Sequence, residues 1–232
     1  IFDEDILALV EKSLSEAGWN LDVAAAPRPR RSTEQATIAR ADAIKVIHED
    51  NAQTNVLLGM QGLIGNDDRR YAMSVLNTVL GGGMSSRLFQ EIREKRGLAY
   101  STYSFNQGYS DGAVFGLYAG CSPAKTREVV ELMLSEFTKI AESGITADEL
   151  ELAYGNISGG LALKFESTQA RMSRLAGTEL GTGHFVDLDE ALTRYREVTQ
   201  AQVQQLAADI LVREKTIVAV GDVTVDTFNG LI

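Results

Sequence analysis

The order of two periodicities constrains this chain more than any other feature. Apolar runs of strand type come in pairs, AIKVIHED with TNVLLGMQGL and then AYSTYSF with AVFGLYAGC. One β-branched run, TIVAVGDV, closes the chain as an expected buried strand. Helical spacing fills the intervals, most of all between residues 122 and 210. Strands in runs and helices in runs predict an α+β fold, a layer sandwich in which a largely antiparallel sheet packs against helices.

Local signals place the ends. Asn66 is the expected cap of a helix that carries Ala72, Val75, Leu76 and Val79 on one face and ends at Gly81, Gly82 and Gly83. Ser85 or Ser86 is expected to cap SRLFQEIREK, with Gly97 stopping it at the position after the last turn. Ser122 precedes Pro123, a helix start that wastes no donor, and Val130, Leu134, Phe137 and Ala141 form the expected core face. Thr146 and Glu149 read as a capping box, with Ile145 and Leu150 at the staple positions.

The opening segment FDEDILALVEKSLSEAG has Ile6, Leu7, Val10 and Leu14 at helical spacing. AAAPRPRRSTEQ follows, with Pro27 and Pro29 among Arg28, Arg30 and Arg31, and reads as a solvated linker. Residues 1–40 are thus expected to be a helix with an interdomain linker, and residues 41–232 one domain. The chain starts at Ile1 rather than Met and reads as a processed product or an excised piece. The expected preceding element is the last strand of a similar domain.

Composition removes several function classes. A net charge of −10 argues against a general nucleic-acid binder. No apolar run is long enough for a membrane span, and no signal segment opens the chain. With one cysteine, these suit a bacterial cytoplasm. Cys121 allows no internal disulfide and no cysteine-based zinc site. His48 and His184 lie far apart and outside any H-x-x-E-H or H-E-x-x-H pattern, so no metal ligand and no cofactor-binding residue is assigned. The glycine triplet lacks the Gly-Lys-Ser/Thr of a phosphate loop, and a tight helix connection is the better reading.

One pair carries chemical interest. Arg93 stands in the last turn of its expected helix, and Tyr100 stands near the start of the next strand. Alternation puts Tyr100 with Thr102 and Ser104 on a polar, cavity-lining face, and Ala99, Ser101, Tyr103 and Phe105 on the core face. Arginine offers a fork of donors for carbonyl or carboxylate oxygens, and a tyrosine hydroxyl is a single donor to a developing oxyanion. The plainer alternative is that Arg93 pairs with Glu91 or the neighbours of Glu94 and that Tyr100 edges the core.

The string NTVLGGGMSSRLFQEIREKRGLAYSTYS, with the strands on either side, the ITADEL helix start and the closing TIVAVGDV, resembles the C-terminal half-domain of the pitrilysin family of zinc peptidases. That family includes insulin-degrading enzyme and the mitochondrial processing peptidases, and the likeness is nearest to its bacterial, processing-peptidase-like branch. The resemblance implies two similar halves closing on a peptide, with zinc held by H-x-x-E-H in an N-terminal half absent from this chain. It also implies an R-x-x-x-x-x-x-Y pattern in the C-terminal half, which falls here on Arg93 and Tyr100. These two are then the expected catalytic contributors, binding substrate and steadying the tetrahedral intermediate. The implied partners are an N-terminal zinc-binding half or paired subunit and a peptide substrate, with a homodimer conceivable and neither nucleic acid nor membrane. A non-catalytic scaffold half of a processing-peptidase-like complex is the alternative. A small-molecule domain using the glycine loop is the unrelated one.

Overall fold

The computed structural model describes residues 4–21, 36, 42–181, 183 and 185–232. Two units divide the chain at residues 31 and 32. The first contains helix α1 (Glu4–Glu16), formed where the opening periodicity predicts it. Pro27, Pro29 and their arginines lie outside the described residues, as does His184.

The second unit is built on one five-stranded sheet. Its strands are β1 (Ile44–His48), β2 (Thr54–Gln61), β3 (Ala99–Gly108), β4 (Ala113–Cys121) and β5 (Lys215–Gly221). They run in the order β1-β5-β2-β4-β3. β2 pairs antiparallel with β4 and β5, and β4 with β3, while β1 and β5 run parallel. The α+β expectation therefore describes the fold. The closing strand slots between the first two, where the β-branched Ile217 and its neighbour Ala219 are buried.

Helices α2 (Arg70–Gly81), α3 (Thr126–Ser143) and α7 (Gln200–Leu211) supply the apolar layer. Val56, Leu58 and Met60 of β2 and Phe115, Leu117 and Ala119 of β4 meet Met73, Leu76, Phe137 and Leu206 in one core. The Phe115 and Phe137 rings lie 5.6 Å apart, tilted, a favoured arrangement for aromatic quadrupoles. Helices α4 (Ala147–Glu166), α5 (Thr168–Gly181) and α6 (Leu188–Arg196) complete the set. Among the described residues no helix is long and apolar enough to cross a membrane.

Several predicted ends shift. Helix α2 starts at Arg70, so Asn66 is not its cap. Asp67 instead accepts from the Arg69 backbone N–H at 2.9 Å and grips the Arg69 guanidinium at 2.8 Å, closing a turn before the helix begins. Ser86 stands just before the next helix, its carbonyl accepting from the Gln90 N–H at 3.0 Å, but its hydroxyl donates to the Gly83 carbonyl at 2.6 Å instead of capping. The buried stripe of α3 runs through Val129, Val130, Met133, Phe137 and Ile140, so Val130 and Phe137 are core as expected, while Leu134 and Ala141 lie only at its edge. The Thr146–Glu149 capping box forms as expected, and the Glu149 carboxylate also takes a bidentate bond from Arg87 at 2.7 and 2.8 Å. Burial raises the Glu149 pKa, but the Arg87 and Thr146 hydrogen bonds outweigh it and leave it lowered.

The glycine triplet has a packing explanation. None of the three adopts positive φ. A Cβ on Gly81 would fall 2.2 Å from the Ser104 backbone nitrogen, so the last turn of α2 lies directly on β3. A Cβ on Gly83 would meet nothing within 4 Å.

Candidate functional site

Between α2 and β3 the chain makes six residues of π-helix, Phe89–Glu94, where an α-helix is expected. Leu88 and Ile92 are fully buried and hold this segment to the core. Gly97, at φ +61°, lets the chain turn out of it. Its N–H reaches the Arg93 carbonyl, and the Leu98 N–H reaches the Ile92 carbonyl, both at 2.9 Å. Short π-helical turns store a backbone irregularity that ordinary helices avoid.

A second irregularity follows at once. Ala99 faces Cys121 and Ser101 faces Gly120, so Tyr100 is an extra residue without a partner on β4. This bulge takes Tyr100 off the face it was predicted to share with Thr102 and Ser104, and the buried face of β3 is the opposite of the one predicted. Thr102 and Ser104 are buried, with the Ser104 hydroxyl donating to the Asn77 side chain at 2.8 Å. Tyr103 is 43% exposed on the opposite face, stacked on Tyr118, and Phe105 lies across its partner Gly116. The cause is the close approach of Gly81, which leaves room only for small side chains on the helix side of β3. Tyr100 is therefore not on a wall of hydroxyl residues; it is 80% exposed at the sheet rim.

The structure does bring Arg93 and Tyr100 together. The guanidinium carbon of Arg93 stands 4.8 Å from the centre of the Tyr100 ring and 4.7 Å from that of Phe89. The expected competitor, Glu91, is occupied elsewhere. Its carboxylate binds Lys95 and Arg96, each at 2.5 Å, and these bonds hold its pKa at about 2. Glu94 approaches the Arg93 Nε only to 3.7 Å, beyond hydrogen-bond range. Among the described residues Arg93 donates no hydrogen bond, and neither does the Tyr100 hydroxyl. Every other described arginine donates at least one. Sequence reasoning did not single out Phe89; the signal available was an aromatic four residues before an arginine on one helical segment.

Nothing else described has the makings of a catalytic centre. No group of three or more His, Cys, Asp and Glu side chains among the described residues could hold a metal ion. The described residues therefore do not fit a zinc site, and no metal-bound step is assigned to them. His48 is exposed, with Asp222 3.8 Å away. Cys121 is buried, which raises its pKa, and its thiol faces Thr126. The hollow beside Ser85 measures about 20 Å³, too small for a nucleotide.

Comparison with known proteins places this geometry in a family. Residues 2–155 match the model described as Peptidase M16 inactive domain. The chain is 41% identical over 216 residues to an uncharacterized zinc protease of Streptomyces coelicolor, covering 93% of this chain and 47% of that protein. An uncharacterized zinc protease of Bacillus subtilis is 36% identical over 166 residues, covering 72% of this chain and 41% of the relative. Among solved structures, the peptidase M16 inactive domain from Pseudomonas fluorescens aligns with TM-score 0.72 and 26% identity, over 81% of this chain and 45% of that one. A protease from Helicobacter pylori shares the fold, with TM-score 0.77 and 22% identity over 95% and 53%. The chain thus spans about half the length of the relatives it matches. It belongs to the peptidase M16 family of zinc proteases, as the inactive, C-terminal type of domain.

Proposed function

We propose that this domain is the substrate-binding half of a zinc-dependent endopeptidase, in which Arg93 and Tyr100 act on the peptide while another half holds the metal. The observation that carries this reading is the idle state of the pair. A guanidinium and a phenol lie in contact at the sheet rim, neither donating a hydrogen bond to any described residue, while every other described arginine donates at least one. Unspent donors are what a carbonyl oxygen needs as it gains charge. Arg93 supplies a fixed cation and a fork of N–H groups to orient the peptide, and Tyr100 supplies one O–H to the oxyanion.

The relatives named zinc proteases, about twice as long as this chain, support a metal-bearing partner half. One buried cysteine suits a reducing compartment such as the bacterial cytoplasm. Peptide hydrolysis by the full-length protein tests the roles. Tyr100→Phe is expected to lower kcat on the order of 10²-fold with KM little changed. A kcat equal to that of the unsubstituted protein would remove Tyr100 from the chemistry.

A further inference from the structure

We infer that Phe89 is a positioning residue for Arg93, and through it for Tyr100, so that the site is a three-residue chain of dependence rather than a pair. The mechanical part rests on geometry alone. The functional part rests on the reading above, that Arg93 meets the peptide.

The two rings against the guanidinium are not equivalent. Phe89 is half-buried and opens the π-helical segment, one residue after the fully buried Leu88. Tyr100 is 80% exposed, lies outside the β4 ladder, and its hydroxyl binds none of the described residues. Phe89 is therefore the anchored wall. The guanidinium rests against it, and Tyr100 leans on the guanidinium from solvent. Long arginine side chains have many rotamers, and a stacked ring restricts them without consuming a donor. A carboxylate at the same place would restrict them too, but by spending those donors.

That competitor is present. Glu94 stands 3.7 Å from the Arg93 Nε, a loose ion pair without a hydrogen bond, and a small rotation would tighten it into a hydrogen-bonded one. An exposed ion pair and an exposed cation–π contact have similar strength, so the ring decides which way the guanidinium turns. Without Phe89, Arg93 swings to Glu94, its donors are consumed, and Tyr100 loses its support. Removing the Glu94 charge then restores the idle guanidinium.

The test has two arms. In the 232-residue chain, the Arg93 Nε–H proton resonance, identified by its loss in Arg93→Lys, is expected upfield from ring currents. Phe89→Leu should move it downfield, and Phe89→Trp, with its larger ring current, should move it further upfield. In peptide hydrolysis by the full-length protein, Phe89→Leu should lower kcat/KM by about 2- to 5-fold, the population loss expected from one cation–π contact. Phe89→Tyr and the double variant Phe89→Leu with Glu94→Gln should both recover it. A side chain needed only for packing is not rescued by neutralising Glu94.

An Arg93 resonance unmoved in Phe89→Leu overturns the inference. So does a kcat/KM loss that follows the melting temperature and ignores Glu94→Gln. If Phe89→Leu does not fold, Phe89→Trp decides, since an unmoved resonance there is equally adverse. If Phe89→Leu moves the resonance but Arg93→Lys leaves hydrolysis unchanged, the clamp stands and the proposed function falls.

Discussion

At the scale of residues, the site depends on how charge is distributed over six positions. The sequence EIREKR offers Arg93 several partners, and spacing alone leaves a pair with Glu91 as reasonable as an idle guanidinium. The structure decides because Lys95 and Arg96 converge on Glu91. This has a pH consequence. The folded pKa of Glu91 is about 2, below the usual glutamate value of about 4.3. A depressed carboxylate stabilises above its unfolded pKa, and the contribution disappears as pH falls through the folded one. The melting-temperature difference between the unsubstituted chain and Glu91→Gln should thus be full above about pH 5 and shrink toward zero near pH 2. Solvent screening keeps it to about 1 kcal/mol or less. A difference that grows on acidification contradicts the assignment. Arg93 and Tyr100 were legible as a motif. Their idle donors were not, because these follow from where other side chains turn.

At the scale of elements, two irregularities put the pair in place: the π-helix and the bulge at Tyr100. Neither was visible in periodicity, which assumes one fixed repeat per element. The bulge takes Tyr100 off the face of Thr102 and Ser104, while the burial of those two in place of Tyr103 and Phe105 follows from the contact of α2 with β3. The determining feature was in the string all the same, since glycine at position 81 lets α2 touch β3. Gly81→Ala should destabilise the chain by about 1–3 kcal/mol, because the new methyl meets backbone atoms that cannot give way. Gly83→Ala should be nearly neutral, since nothing lies within 4 Å. Chemical denaturation of both variants checks this contrast, and equal losses would return the triplet to a turn explanation. Signals that act within one turn fared better. The Thr146 capping box formed as read, whereas the Asn66 cap failed because Asp67 closed its own turn first.

At the scale of the molecule, the α+β layering followed from the order of strand and helix runs, and the sheet order did not. Pairing β5 between β1 and β2 joins residues more than 150 positions apart, a contact that local pattern does not encode. The relatives' length extends the same point to function. Under the proposed function, a domain with free donors and no metal site among its described residues supplies half of a chemistry, and the other half is sought in the part of those relatives that this chain does not span. The central claim is that Arg93 and Tyr100 act on the peptide as one unit. A double-mutant cycle of Arg93→Lys and Tyr100→Phe in the full-length protein, read as kcat/KM for a peptide, tests it most directly. The expected result is strong non-additivity, with the double variant little worse than the poorer single. Strict additivity, or two silent single variants, would contradict it.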